Sequence, residues 1–295
     1  QPFSIKYIKE ILSLSKKNDF IYLHYPNVLA FFSLLFLKKQ KIIIHWHSDI
    51  IKQKIIYLFI RWIEKSILKK SSLVIVTSSN YLKASKPLKK FHQKISIVNF
   101  GMKDPYKNKI FKIKSLPTER NIKTKKINIM SIGRLVGYKG YEYLINSMKY
   151  LDKDRFQLTI IGEGKLQKKL NNLCKINSLE NNIQILSNVD NRKKHALFKN
   201  CHIFCLPSIS RAEAFGLVLL EALSYGIPLI TFYMPESGTN FINRNGFNGL
   251  LVRGKNSKEL ANKIIKISTE KKIYTKLSKN ARIDYEKRFK EENFI

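Results

Sequence analysis

The sequence predicts an α/β protein in two halves, each built on a mainly parallel sheet. Three observations carry this. Short apolar runs alternate with helical segments along nearly the whole chain, the pattern that lays helices over the faces of a parallel sheet. Several of the runs stop at a small or polar loop before the next helix, which is where open α/β sheets bind ligands. Residues 102–126 are polar, Lys-rich and hold Pro105 and Pro117, so they read as a connection between the halves. The expected division is 1–104, a linker at 105–126, a second half at 127–272, and a C-terminal helix at 273–295 that crosses back to the first half.

In the first half, residues 4–18 set Ile5, Ile8, Ile11, Leu12 and Leu14 among lysines, an amphipathic helix. A strand at 20–24 and an apolar helix ending at Lys38-Lys39 follow. The strand at 41–47 runs into Ser48-Asp49. His45 and His47 are two apart and share a face of it. Two histidines with no third ligand nearby are a weak zinc signal, and no metal is expected. Residues 52–70 read as a long helix with Ile55, Ile56, Leu58, Phe59, Trp62, Ile63 and Leu68 on its apolar side and six lysines and arginines flanking it. Such a face covers a sheet or lies on an anionic membrane. A strand at 73–77, a short basic helix at 81–91 broken at Pro87, and a strand at 94–100 complete the half.

The second half opens with a strand at 127–132. The loop Gly133-Arg-Leu-Val-Gly-Tyr-Lys-Gly140 leads into a helix at 141–150. Backbone amides, the fork of Arg134 and the point charge of Lys139 make a diphosphate clamp; the other reading is a solvated turn. The strand at 156–161 ends in Gly162-Glu-Gly164, by itself weak evidence for phosphate contact. A Lys-rich helix through Cys174, a strand at 183–186, the loop 187–190 and a helix at 195–200 come next. Then a strand at 203–206, a helix at 216–225 stopped by Gly226 and Pro228, and a strand at 229–232 form one βαβ unit. That helix is apolar nearly all round yet carries Glu221, which must find a partner or face a cavity. Glu213 precedes it, beside the amides of Ala214, Phe215, Gly216 and Leu217. Helices at 257–268, with Ser257 as N-cap, and 273–288 close the chain.

Glu213-Ala-Phe-Gly-Leu-Val-Leu-Leu-Glu221 with Ala222, Gly226 and Pro228, preceded by Gly133-Arg134…Lys139-Gly140, resembles the retaining GT-B glycosyltransferases of family 4. The resemblance implies two Rossmann-like domains facing a cleft. It implies transfer of a hexose or deoxyhexose from a nucleoside-diphosphate sugar, with anomeric configuration kept and no metal needed. Arg134 and Lys139, in the Gly133 loop, would neutralise the departing diphosphate. Gly162 would line the cleft, and Val189 in the loop 187–190 would hold the nucleobase through its backbone. Glu213 would contact the donor sugar, Glu221 the ribose, and His47 the sugar from the opposite domain. Two places depart from the family pattern. Asn99-Phe100-Gly101 stands for a Pro-Asn-Gly-like signature, and Ser237-Gly-Thr-Asn240 for Gly-x-Pro-Glu, which leaves the donor's identity open. Family members begin with a strand and a Gly-rich loop, whereas the chain begins at Gln1, so the first half is expected to be incomplete. The alternatives are a remnant that binds donor without transferring it and, behind it, a basic nucleic-acid-binding protein.

Across 295 residues the formal net charge is +34. Such a field favours phosphates, nucleic acid or an anionic membrane. Lysine, asparagine and isoleucine are used heavily throughout, so background composition is the competing account. No motif interleaving aromatic and basic residues is present, and nucleic acid is not an expected partner. A nucleotide-sugar donor, a glycan or lipid-linked acceptor, and a peripheral contact with the inner membrane face are. Cys174, Cys201 and Cys205 form no CxxC pair, in keeping with reduced thiols in the cytoplasm. The longest apolar run, 28–37, is far short of the roughly 20 residues a spanning helix needs.

Overall fold

Strand and helix alternate through most of the described chain in a computed structural model, which describes residues 5–16, 18–36, 41–50, 54–105, 122 and 126–293, without the side chains of 54–56 and 59. The chain divides into two units, Gln1–Asn99 and Phe100–Ile295. The expected helix end at Lys38-Lys39, the start of the long helix at Lys52, and most of the 105–126 linker lie outside the described residues.

The first unit runs α1 (Ile5–Ser15), β1 (Phe20–Tyr25), α2 (Val28–Leu34), β2 (Lys41–Trp46), α3 (Lys54–Lys70), β3 (Leu73–Val76), α4 (Ser79–Ala84) and β4 (Ile95–Ile97). Its four strands are parallel, in the order β1-β2-β3-β4. Alternation sends Leu23, Tyr25, Ile44, Trp46, Val74 and Val76 into the core from one face. Tyr22 and His24 emerge on the other. Trp46 stacks on Tyr25 with ring centroids 3.8 Å apart. The helix expected over 81–91 is two pieces: α4 ends at Ala84 and a 3₁₀ turn follows at Pro87–Lys90, because proline has no amide to continue the ladder. Helix α3 buries Ile63, Ile67 and Leu68 but leaves Leu58 and Trp62 exposed at 67% and 57%. Glu64, on the buried side of α3, accepts hydrogen bonds from the Tyr25 and Tyr57 hydroxyls. Burial pushes its carboxyl above the usual range, against those two hydrogen bonds.

The second unit runs β5 (Ile127–Ile132), α5 (Tyr141–Ser147), β6 (Phe156–Ile161), α6 (Gln167–Ile176), β7 (Ile183–Leu186), α7 (Asn191–Asn200), β8 (Ile203–Leu206), α8 (Leu217–Ser224), β9 (Leu229–Phe232), α9 (Gly238–Ile242), β10 (Gly249–Val252), α10 (Ser257–Thr269) and α11 (Lys271–Arg288). All six strands are parallel, in the order β10-β9-β8-β5-β6-β7. Strand β8 shows why its residues are apolar without alternation. Ile203 and Cys205 enter one core with α5, α6 and α10, while Phe204 and Leu206 enter the other with α8 and α11. A central strand covered on both faces has no solvent side. Truncating Leu219, fully buried on α8, costs about 2–5 kcal/mol.

One helix start and one cap differ from the sequence reading through the side chains that cap them. Helix α7 begins at Asn191 because the Asp190 carboxylate accepts from Lys193 N at 2.7 Å. The N-cap of α10 is Asn256 and not Ser257: Asn256 Oδ1 takes the amides of Lys258 and Glu259 at 2.9 and 3.1 Å. Helix α11 packs within the second unit. Its Arg282 grips the Asp104 carboxylate with both guanidinium nitrogens at 3.2 and 2.5 Å. Its Asp284, 2% exposed, is held by Arg244, Arg288 and Asn248, so the buried charge is compensated.

Candidate functional site

Strand order locates the site before any side chain is considered. From β5 the chain steps outward to β6 and β7, then returns to the opposite side of β5 with β8 and continues outward to β9 and β10. The order reverses between β5 and β8, and the crevice beyond their carboxyl ends is the binding position of an open α/β sheet. The Gly133 loop follows β5 and the Glu213 loop follows β8.

Five loops at this edge are stitched into one surface. Gly133 N donates to Ile161 O at 2.9 Å and Leu135 N to Glu163 O at 2.7 Å, tying the β5 loop to the β6 loop. Gly162 N reaches Leu186 O at 2.9 Å, and Gln167 reaches Ser187 Oγ at 3.0 Å, adding the β7 loop. On the other side Ile209 N donates to Tyr138 O at 2.8 Å. Gly238 N donates to Ala214 O, also at 2.8 Å, and Ser237 Oγ donates to Glu213 O. Two glycines permit this approach. A side chain at Gly162 would strike the Gly133 carbonyl, and one at Gly140, which has φ 66°, would strike the Pro207 carbonyl.

At the centre, Lys139 Nζ lies 2.6 Å from Glu213 Oε2, both side chains nearly buried. Ser208 Oγ donates to the same carboxylate oxygen at 2.8 Å. The ammonium keeps two further protons for an anion. Tyr141, at the start of α5, donates to the Gly133 carbonyl at 3.0 Å and braces the loop; burial, then the Glu213 charge, pushes its phenol well above the usual range. Arg134 is exposed, with its guanidinium 3.5 Å from the Tyr138 hydroxyl. Gly216 N-caps α8 and Phe215 is buried beneath it, while Ala214 is half-buried and Leu217 exposed. Val189 is half-buried and packs against the core of α8 and α11.

Glu221, half-buried one turn into α8, has a partner for one of its two oxygens. Oε1 is 3.2 Å from Lys194 Nζ on α7. Oε2 is buried without a hydrogen-bond partner among the described residues. An enclosed carboxylate oxygen in that state has unused acceptor capacity. Ser208, Lys194 and Tyr141 escape the linear sequence reading. Ser208 and Tyr141 bond within their own loops, to Glu213 and Gly133, while Lys194 comes from α7 to reach Glu221 on α8.

His47 lies in the first unit, just beyond β2, with its amide donating to Tyr25 O at 3.1 Å. His24 Nδ1 sits 2.7 Å from its Nε2. Burial, then His45 and His24, push the His47 imidazole down to about 4. It is therefore neutral at neutral pH.

The strand switch of the second unit thus gathers glycine loops and a buried lysine–glutamate pair, with a half-paired carboxylate one turn into the helix that follows. Residues 112–284 match the family model described as glycosyl transferases group 1, and the chain belongs to that family. It is 25% identical over its whole length to the O-antigen chain mannosyltransferase C of Escherichia coli, spanning 77% of that protein. To the D-rhamnosyltransferase WbpZ of Pseudomonas aeruginosa it is 27% identical over 85% of the chain and 64% of that protein. Among solved structures, sucrose-phosphate synthase from Thermosynechococcus elongatus superposes with a TM-score of 0.79 at 21% identity, covering 98% of this chain and 74% of that one. HepE from Anabaena, in complex with UDP-glucose, does so at 0.77 and 19%, covering 96% and 78%. The fold is accordingly GT-B, with two parallel-sheet α/β domains.

Proposed function

We propose that the chain is a retaining family 4 glycosyltransferase. It moves a hexose or deoxyhexose from a nucleoside-diphosphate sugar to a glycan or lipid-linked glycan in cell-surface polysaccharide synthesis. The observation that carries this is the Lys139–Glu213 pair, held between the loops that follow β5 and β8, with Glu221 one turn into the helix after β8 and paired through one oxygen only. Relatives named as an O-antigen mannosyltransferase and a rhamnosyltransferase support the sugar class and the pathway class. A neighbour holding UDP-glucose supports the donor class.

In this reading Lys139 and Arg134 stabilise charge as it grows on the departing diphosphate. Glu213, fixed by Lys139 and Ser208, orients the sugar, and Glu221 accepts hydrogen bonds from the ribose hydroxyls. The acceptor's proton goes to a phosphate oxygen, so the step calls for neither a protein base nor a metal. Contact of His47 with the sugar rests on the family resemblance. Calorimetry with UDP- and GDP-sugars, followed by NMR of the glycosidic product, tests the reading. Binding of one donor class and a product with the donor's anomeric configuration are expected; an inverted product, or no donor binding, contradicts it.

The exposed Leu58 and Trp62, beside exposed Arg61 and Lys65 on α3, support a peripheral contact with an anionic membrane on its cytoplasmic side. No helix among the described residues is long and apolar enough to cross a membrane. Cosedimentation with phosphatidylglycerol vesicles that Trp62→Glu abolishes is the expected result. Equal retention of both proteins removes α3 from any such contact.

A further inference from the structure

Sheet register in the first unit assembles a group that linear spacing hides. β1 and β2 are parallel neighbours with His24 opposite His45, and His47 lies two residues beyond His45. All three imidazoles therefore leave one face of the sheet at its carboxyl edge. Their rings stack: His24 and His47 at 5.0 Å between centroids and 9° between planes, His45 and His47 at 4.2 Å and 27°. One ring nitrogen from each lies within 4.8 Å of the other two. Tyr22, on the same face, holds its hydroxyl 2.7 Å from His45 Nδ1, which makes Nε2 the nitrogen positioned to ligate. A polar group on the far nitrogen is the outer contact that orients a ligating histidine.

We propose that His24, His45 and His47 form a binding site for one divalent transition-metal ion of the zinc class, with the fourth position open to water or an anion. Three nitrogens about 2.0–2.1 Å from zinc sit about 3.4 Å from one another in a tetrahedron. The 2.7 Å separation of His24 and His47 must open by about 0.7 Å, and the other separations, all within 4.8 Å, must close by at most about 1.4 Å. His24 is exposed and supplies most of that movement by side-chain rotation. The all-imidazole donor set selects zinc, copper or nickel; without a carboxylate in the group it does not suit magnesium or calcium.

Occupancy ties up the imidazole that the transfer reading assigns to the sugar, so Zn²⁺ acts as an inhibitor of transfer. That consequence rests on the transfer reading; metal binding itself does not, and the two are measured separately. The full chain is titrated with Zn²⁺ against a chromophoric chelator, and with Co²⁺ followed by its visible absorption. Wild type binds one equivalent and gives a tetrahedral Co²⁺ spectrum. His24→Ala, at an exposed position, and His47→Gln each weaken binding by at least about tenfold, the loss that follows removal even of an outer-shell contact. His92→Ala, exposed and outside the group, binds as wild type. Tryptophan fluorescence confirms the fold of each variant. Unchanged affinity in folded His24→Ala and His47→Gln, or no stoichiometric binding by wild type, overturns the proposal and leaves a hydrogen-bonded histidine stack only.

Discussion

The two units share an architecture and differ in where they put their polar groups. In the second, both faces of the sheet enter apolar cores and the charged groups of the site gather in loops at its carboxyl edge, where five loops hydrogen-bond to one another. In the first, titratable groups sit on the sheet face itself, as Tyr22, His24 and His45, and inside the helix layer, as Glu64 with its two tyrosines. The same strand-and-helix scaffold therefore says little about chemistry. Function is read from the site grafted on it, and the second unit carries the more complete one.

Removing the clamp gives the largest effect and acts on the second unit alone. Each charged hydrogen bond to the diphosphate contributes about 1.5–3 kcal/mol. Arg134→Ala combined with Lys139→Ala should lower nucleoside-diphosphate affinity by at least about a hundredfold, measured by calorimetry. Fluorescence of the first unit should not move, because both tryptophans of the chain, Trp46 and Trp62, lie there. An unchanged affinity in the folded double variant takes the loop out of the site.

A smaller effect singles out the first unit. The Glu64 carboxyl is raised from 4.5 by burial, so the folded state holds its proton to higher pH than the unfolded state. Its contribution is fully present below the unfolded value and is lost as pH rises through the folded one. The fluorescence melting temperature of the first unit should fall across that window. Glu64→Gln should flatten the profile by a few degrees. A variant with the wild-type slope assigns the dependence to another group.

Fold and site were legible to different depths. The strands at 127–132, 156–161, 183–186, 203–206 and 229–232 end where the sequence places them, because each is an apolar run between turn signals. The start of α7 and the cap of α10 were not legible, since single side chains, Asp190 and Asn256, set them. Lys139, Glu213 and Glu221 announce themselves by spacing and by charge in apolar surroundings. Their pairings do not. Lys139 meets Glu213 only because β5 and β8 are neighbours, and Glu221 meets Lys194 only because α7 lies beside α8. His24 was passed over for the same reason: its third-ligand position comes from parallel register with β2 and from nothing near it in the chain. Long-range adjacency is a property of the sheet, and one sequence encodes it only through the whole fold.

The central claim is that Glu221 receives the ribose of a nucleotide donor in the second unit, and one thermodynamic cycle tests it. The better bound of UDP and GDP, and its 2′-deoxy counterpart, are titrated into wild type and Glu221→Gln. Wild type should prefer the ribonucleotide by at least about tenfold, the lower end of the roughly 1.5–3 kcal/mol of a hydrogen bond to a charged group. Glu221→Gln should lose most of that preference while binding the deoxynucleotide as wild type does, so that the coupling belongs to this carboxylate and that hydroxyl. The same ribose preference in both proteins would contradict the assignment.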